Sequence, residues 1–217
     1  MDGARLISLN VGRAEPHWTL RGQPVSTGIY KRPVDGPVMA RKLNLDGDEQ
    51  ADRRVHGGLL KAVYAYPSEH YGFWGPQLAD VELGWGAFGE NLTTSGLSEA
   101  EVRIGDEFAL GGARLRVTQP RYPCFKLATK MRRREFPLQF LDSGRTGFYM
   151  SVVAEGVIAA GDRIERVDGP EGDGVSVLDL VRLATGASED RDLIRRALDV
   201  PGLPNFWREQ ILDRHRS

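Results

Sequence analysis

The sequence is poor in cysteine, since Cys124 is the only one among its 217 residues. A lone cysteine excludes an intramolecular disulfide and a cysteine-based zinc cluster, and it favours a reducing compartment, so we expect a cytoplasmic protein. Long apolar runs are also missing, because no stretch reaches the ~18 apolar residues that a membrane-spanning helix requires. Residues 1–12 do not follow the pattern of a signal peptide. We therefore expect no membrane partner.

An excess of charge of either sign is missing as well. Lys and Arg number 29, Asp and Glu number 30, and the formal net charge is −1 at pH 7. This balance argues against a globally basic nucleic-acid-binding protein. The run Arg132–Arg134 has no recognised nucleic-acid motif around it, and three arginines are more typical of a solvated helix face. Neither a Walker loop nor a dinucleotide fingerprint is present, and no nucleic-acid partner is expected.

Short apolar segments separated by Gly and Pro turns predict a mainly β fold with some α, built as a β-barrel over residues 1–167. The clearest hairpin joins Glu107–Leu110 to Ala113–Gln119 through Gly111-Gly112, which supplies a tight turn. Further expected strands are Arg5–Val11, Val25–Val34, Val38–Leu45, Leu60–Tyr66 and a late pair, Phe148–Ala154 with Arg163–Val167. Helices are expected near Tyr66–Gln77, with Pro67 in the first turn, and near Phe125–Phe140.

A short internal echo links Ile104–Phe108 with Ala160–Ile164, since both contain Gly-Asp before the start of a strand. Both segments read as a turn that feeds a strand. Five residues are too few to establish a sequence repeat.

The composition changes at residues 168–174, a linker of Gly, Pro and acidic residues. Residues 175–217 then have a helical pattern and predict a small domain of three helices. Ser176 with Asp179 predicts the first N-terminus and Gly186 its end, while Ser188 and Asn205 are expected to start the other two helices. Three short helices are marginally stable alone, so we expect them to dock on the barrel or on a second subunit.

Cys124 is the strongest chemical candidate, because it is the one strong nucleophile or soft metal ligand that the chain has. Its neighbours are cationic, and no acidic residue lies between Pro120 and Arg134. Positive charge favours the thiolate form of cysteine. The alternative is a buried, inert cysteine, which is common in cytosolic proteins.

Three other segments are candidates for ligand binding. His56 could exchange a proton near neutral pH, and Gly57-Gly58 allow close backbone approach to a ligand. Asn91 could line a site with its amide, and Lys31-Arg32 suit a phosphate. Each segment alone is equally compatible with an ordinary polar loop or strand entry.

Taken together and in order, these segments resemble the MOSC family (molybdenum cofactor sulfurase C-terminal domain), and within it the YiiM-type members, in which a barrel precedes three helices. The resemblance covers residues 4–212, about the whole chain. It is carried by Gly47–Gln50, Val55–Gly58, Tyr66-Pro67 with His70-Tyr71, Phe88–Leu92, Gly105-Asp106, Gln119–Arg121 and Pro123–Leu127.

The resemblance implies a cavity for the molybdenum cofactor, with pyridoxal phosphate ranked behind it. Cys124 would be the molybdenum ligand, and His56 the catalytic proton donor. Lys31 and Arg32 would anchor the phosphate of the cofactor, while Asn91 and Arg121 would hold the pterin or its phosphate. Gly57 and Lys126 complete the implied cofactor-binding set.

The resemblance also implies reduction of N-hydroxylated compounds, such as 6-N-hydroxylaminopurine, to the amine. Since no flavin, haem or iron–sulfur motif is visible, electrons would come from a separate reductase. A homodimer with a contact through the C-terminal helices is expected. The alternative function is a carrier of molybdenum cofactor or of sulfur on Cys124, without redox turnover of its own.

Overall fold

The computed structural model describes residues 3–51 and 57–216. Within these ranges lie twelve strands: β1 (Arg5–Val11), β2 (Glu15–Leu20), β3 (Gln23–Thr27), β4 (Arg32–Pro33), β5 (Val38–Ala40), β6 (Val63–Pro67), β7 (Leu92–Ser95), β8 (Glu107–Leu110), β9 (Ala113–Pro120), β10 (Phe148–Ala154), β11 (Gly156–Ile158) and β12 (Ile164–Asp168). Six α-helices accompany them: α1 (Glu69–Trp74), α2 (Phe125–Lys130), α3 (Phe136–Asp142), α4 (Val177–Thr185), α5 (Arg191–Asp199) and α6 (Asn205–Arg214).

Eight strands form one sheet in the order β12-β8-β9-β10-β6-β7-β1-β4, and two small sheets pair β11 with β5 and β2 with β3. All neighbours are antiparallel except β6 and β7, which run parallel. The sheet curls until β1 meets the start of β12 at one bridge, between Arg5 and Arg163. The mainly β fold is confirmed, but a single bridge is not a continuous ladder, so the sheet is strongly curved and not a closed barrel.

The hairpin of β8 and β9 is confirmed, with Leu110 opposite Ala113 across the Gly111-Gly112 turn. Along β9 the residues alternate between buried and exposed up to Val117, after which the strand is buried on both faces. Such alternation buries one face against the core, whereas a doubly buried end leads into the interior. The end of β9 therefore delivers the segment that follows it, Arg121–Cys124, to the inside of the fold.

The predicted pairing of Phe148–Ala154 with Arg163–Val167 is wrong. Strand β10 pairs with β9 on one side and with β6 on the other, so neither of its edges is free. Strand β12 pairs with β8 instead, at the end of the sheet. Adjacency in sequence favoured the wrong partner, because the hydrogen-bonding capacity of β10 was already filled.

Pro67 also differs from its prediction, because it is the last residue of β6 and helix α1 begins only at Glu69. Pro67 lies opposite Thr94 in the parallel pairing of β6 with β7. Proline has no N–H to give to a strand. The N–H of Ser68 donates to the Thr94 carbonyl at 2.7 Å and so continues the pairing beyond it.

The two echoed turns have the same geometry. Gly105 and Gly161 both adopt positive φ, 95° and 94°. The Oδ2 atoms of Asp106 and Asp162 each accept the backbone N–H three residues upstream, at 2.8 Å in both turns. The two similar segments therefore form the same type of turn, each time directly before a strand near the open end of the sheet.

The C-terminal part is helical as predicted, and Ser176 and Asp179 form a reciprocal capping box at the start of α4. Helix α5 is capped by Asp190 and not by Ser188, and Asn205 is the first residue of α6, not its cap. The three helices pack on the sheet: the Trp207 indole N–H donates to Oε1 of Gln119 in β9 at 3.2 Å. Apolar residues of both parts form one buried cluster, whereas the division into two domains at residues 168–174 stays a prediction.

Candidate cofactor cavity

A cavity of about 80 Å³ opens beside the end of β9. Its wall draws on segments far apart in sequence: the β3–β4 loop, residues 48–51, β6, the approach to β7, the segment after β9, and β10. The lining residues are Thr27, Gly28, Ile29, Lys31, Asp48, Glu49, Gln50, Ala51, Lys61, Tyr64, Gly89, Asn91, Arg121, Cys124, Lys126 and Tyr149. Five of the residues predicted from sequence therefore meet at one place: Lys31, Asn91, Arg121, Cys124 and Lys126.

Cys124 is half-buried and is a free thiol in this wall. It precedes helix α2 in an extended conformation, and its carbonyl accepts the N–H of Leu127 at 2.9 Å. The thiol is thus neither sealed in the apolar core nor fully exposed. The cavity gives a ligand access to the sulfur, which the functional interpretation of Cys124 requires.

Arg121 is buried and lies against the aromatic floor of the cavity. Its guanidinium donates to the carbonyl of Phe88 and lies 4.7 Å from the centre of the Tyr64 ring. Burial raises the pKa of Tyr64, whose hydroxyl donates to the Thr146 carbonyl at 2.7 Å. Because a guanidinium keeps its proton in proteins, Arg121 is a fixed positive charge held by a cation–π contact.

Lys31 forms a buried ion pair with Asp48, and their side chains are 8% and 1% exposed. Asp48 is held in turn by the N–H of Gly12, which donates to Oδ1 at 2.8 Å. Burial lowers the pKa of Lys31, and the adjacent Asp48 carboxylate opposes that shift. The pair therefore places an ammonium, whose charge is costly to bury, at the cavity wall with its own counter-ion.

Behind the wall, the loop 86–90 organises a second set of charges. The buried Glu90 accepts the N–H groups of Gly86 at 2.8 Å and Phe88 at 3.1 Å, and its carboxylate also accepts the Tyr71 hydroxyl. From the other side, Lys130 donates to the Gly86 carbonyl at 2.9 Å. Burial lowers the pKa of Lys130 to about 7. One short loop thus contacts both the buried carboxylate of Glu90 and the half-buried amine of Lys130.

The sequence reasoning missed Asp48, Glu90 and Lys130. Asp48 and Glu90 lie inside the motifs that carry the resemblance, so an acid next to Gly47 or Asn91 was a visible signal. Nothing local singles out Lys130, because its partners are the carbonyls of Ile29 and Gly86, 101 and 44 residues away.

Asn91 lines the cavity, but most of its amide is already used. Its Oδ1 accepts the N–H of Tyr64 at 3.1 Å, and its Nδ2 donates to the carbonyl of Asn10 at 3.3 Å. These bonds join β6, β7 and β1. Asn91 therefore shapes the wall, and one N–H of its amide is left for a ligand.

The other predicted residues lie elsewhere. Arg32 is exposed on β4 and lines a neighbouring groove with Arg13 and Tyr30, because alternation along the strand turns it away from Lys31. Gly57 is half-buried and is not part of the cavity wall, although Gly58 beside it adopts the expected positive φ of 87°. His56 lies outside the described residues, so its role stays a prediction.

Across residues 3–51 and 57–216, no three His, Cys, Asp or Glu side chains gather into a set able to hold a metal ion. Among the described residues of the cavity wall, Cys124 is the one soft metal ligand. In the same part of the chain, every helix is too short or too polar to cross a bilayer.

The chain is similar to several known proteins. A family model described as MOSC domain matches residues 52–165. The uncharacterized protein YflK of Bacillus subtilis (strain 168) is 41% identical over 209 residues, 95% of this chain and 92% of that protein. Protein YiiM of Escherichia coli (strain K12) is 37% identical over 199 residues, 90% of this chain and 87% of that protein.

A protein named "Reductase" from Gibberella moniliformis (strain M3125 / FGSC 7600) is 35% identical over 187 residues, which are 83% of this chain but 32% of that longer protein. Among solved structures, YiiM from Geobacillus stearothermophilus superposes with a TM-score of 0.77 at 32% identity, covering 98% of this chain and 99% of that one. The superposition with this YiiM structure includes both the sheet and the C-terminal helices.

Proposed function

The chain belongs to the MOSC domain family, and from this premise we propose that it binds a molybdenum cofactor at Cys124 and reduces N-hydroxylated compounds to amines. One observation carries the proposal: a half-buried thiol opens into a cavity whose wall also contains Lys31, Lys61, Arg121 and Lys126. A homologue that bears the name reductase supports a redox role.

The donor set of the cavity fits such a cofactor. A thiolate is a soft ligand for a transition metal, and lysine and arginine side chains complement the charge of a phosphate-bearing pterin. The cavity volume of about 80 Å³ is below the roughly 300–1,000 Å³ of complete small-molecule sites. The enclosed space therefore suits the metal-bearing end of the cofactor and not its whole length.

Each residue of the wall has a defined task in this proposal. Cys124 would hold the metal, while Arg121 and Lys126 would offset the negative charge of the cofactor. The rings of Tyr64 and Tyr149, 5.3 Å apart, form an apolar floor that limits the entry of water. When bound, the cofactor supplies the two-electron chemistry that the protein side chains lack.

Reduction of a hydroxylamine to an amine breaks the N–O bond, consumes two electrons and two protons, and releases water. Lys31 would be one proton donor, through Nζ at the cavity wall. Its ion pair with Asp48 would hold the side chain in position and favour the return of the proton. His56 is the other candidate donor. We propose that a separate reductase delivers the electrons and that the protein works as a homodimer.

The test compares protein produced with and without molybdate. We expect the wild type to contain molybdenum and to reduce 6-N-hydroxylaminopurine with a chemical reductant, and Cys124→Ser to keep its fold but lose metal and activity, since a hydroxyl is a harder ligand. Thr129→Ser, a change on the exposed side of α2 outside the wall, is the control and should behave as wild type.

Turnover without molybdenum, or a Cys124→Ser variant that retains the metal, would contradict the proposal. Wild-type protein that binds the cofactor in full yet never turns over would favour the carrier function instead. An added sulfur on Cys124 in metal-free protein, seen by mass spectrometry, would favour sulfur transfer.

A further inference from the structure

A second cavity, of about 390 Å³, has helix α4 of the C-terminal part on one side. Its wall is formed by α1, residues 98–100, residues 142–145 after α3, and α4. None of the residues assigned to the cofactor lines it. We propose that this cavity is a binding site for a small anion that carries a phosphate or a carboxylate group.

Two guanidinium groups in this wall carry the proposal. Arg145 packs its guanidinium 3.9 Å from the centre of the Phe73 ring and donates to the Ser143 carbonyl at 3.2 Å. Arg182 is an exposed residue of α4 that lines the same cavity. In the part of the chain that the structure describes, neither has a carboxylate within 4.0 Å. Arginine presents paired N–H groups that match phosphate and carboxylate oxygens, so two unpaired arginines are suited to one anion.

His70 adds a third polar group, and a buried acid fixes its position. Nε2 of His70 lies 2.7 Å from Oε2 of Glu99, whose side chain is 4% exposed. The N–H of Gly147 donates to the other oxygen of Glu99 at 2.7 Å, so the carboxylate cannot rotate freely. Within the described ranges, Nδ1 of His70 has no hydrogen-bond partner. The ring is therefore oriented, and Nδ1 could bind an anion when the imidazole is protonated, since both ring nitrogens are then donors.

Negative charge in the wall does not cancel this arrangement. Glu99 is already bound to His70 and Gly147, and Asp142 is exposed, where solvent and salt screen its charge. Small polar groups, Ser98 and Thr185, complete the lining. The wall thus combines two unpaired cations and an oriented histidine with acids that are engaged or screened.

The second cavity is also connected to the first one. The peptide group between Thr146 and Gly147 accepts the Tyr64 hydroxyl on its carbonyl, at 2.7 Å, and donates its N–H to Glu99. Tyr64 lines the cofactor cavity, and Glu99 lines the second one. A ligand that shifts His70 and Glu99 therefore acts on a peptide that contacts the floor of the cofactor cavity.

The test uses titration calorimetry at constant ionic strength, with inorganic phosphate and, separately, succinate as probes. We expect saturable binding to the wild-type protein and an affinity at least tenfold weaker in Arg182→Gln and in Arg145→Gln. Arg182 is exposed on its helix, so its replacement leaves the fold intact even if Arg145→Gln perturbs the packing on Phe73. Arg191→Gln, an exposed change in the same helical part, should bind as wild type.

A local probe separates this site from the cofactor cavity. The chain contains 4 histidines, so the imidazole signals are few, and His70→Gln assigns the signal of His70. We expect phosphate or succinate to move that signal in the wild type and in Lys126→Gln, and the probe with the higher affinity identifies the ligand class. Unchanged affinity in both arginine variants, or loss of binding only in Lys126→Gln, would overturn the proposal.

Discussion

The two cavities of this protein differ in the partners of their cationic side chains. In the cofactor cavity, Lys31 has an internal counter-ion in Asp48, and the buried Arg121 is held by the Phe88 carbonyl and the Tyr64 ring. Behind the wall, Glu90 lies near Lys130. In the second cavity, Arg145 and Arg182 have no such partner within the described residues. A buried ion pair keeps its shape without a ligand, whereas arginines without a carboxylate partner leave N–H groups available to an anion.

The largest expected effect is a loss of stability when a buried acid near either cavity is replaced. Glu90 accepts four donors and interacts with the charges of Lys31 and Lys130, so Glu90→Gln should lower the free energy of unfolding by about 3 kcal/mol. Glu99 contacts His70 and accepts the N–H of Gly147, so Glu99→Gln should cost about 1–2 kcal/mol. Urea denaturation measures both.

Glu82→Gln is the matched control, since Glu82 is exposed, and it should stay within about 0.5 kcal/mol of wild type. A cost for Glu90→Gln no greater than that for Glu99→Gln would break the comparison, because it would mean that the cations of the cofactor cavity do not need an internal counter-ion.

The second expected effect is a dependence of stability on pH. Burial lowers the pKa of Lys130 to about 7, while lysine in an unfolded chain titrates near ~10.4. Between these values the unfolded chain binds one more proton than the folded protein, so stability rises with pH. Relative to Lys130→Met, the wild type should therefore gain about 2 kcal/mol between pH 7 and pH 9.

Denaturation curves at pH 7, 8 and 9 give this difference directly. Lys126→Met is the control, because the hydrogen bond of Lys126 to the Ser26 carbonyl is at the surface, and its difference from wild type should not change with pH. Arginines cannot lose their proton in this range, so Arg182→Met should be equally insensitive. Parallel curves for wild type and Lys130→Met would show that Lys130 keeps its proton in the folded state.

Features formed by residues close in sequence were predicted better than contacts between distant segments. The β8–β9 hairpin and the α4 capping box follow from residues within a dozen positions, and both were predicted correctly. The β2–β3 hairpin was missed because its turn, Arg21-Gly22, uses two positive φ values of 49° and 78° with an arginine where asparagine or glycine is expected. Strand partners such as β12 and β8 depend on which edges remain free, and no local pattern records that.

The same contrast between local features and long-range contacts applies to the cofactor cavity. Cys124, Lys31 and Arg121 were identified as chemistry-bearing types, and the structure brings them to one wall. Arg32 was grouped with Lys31 by adjacency, but neighbouring residues on an extended strand point to opposite sides. The roles of Glu90 and Lys130 arise from their contacts with the same loop at Gly86, which join segments distant in sequence and depend on the whole fold.

The smallest expected effect on stability is also the sharpest test of which cations serve a ligand. Lys126 in the cofactor cavity and Arg32 in the adjoining groove differ in position more than in charge. Each replaced by Gln should change the free energy of unfolding by less than about 0.5 kcal/mol, because neither forms a buried ion pair. Only Lys126→Gln should reduce the molybdenum content of protein produced with molybdate, since only Lys126 lines the cavity that holds Cys124. Equal molybdenum loss in Arg32→Gln would show that the cofactor extends from the cavity into the groove, and would place the phosphate contact where adjacency to Lys31 first predicted it.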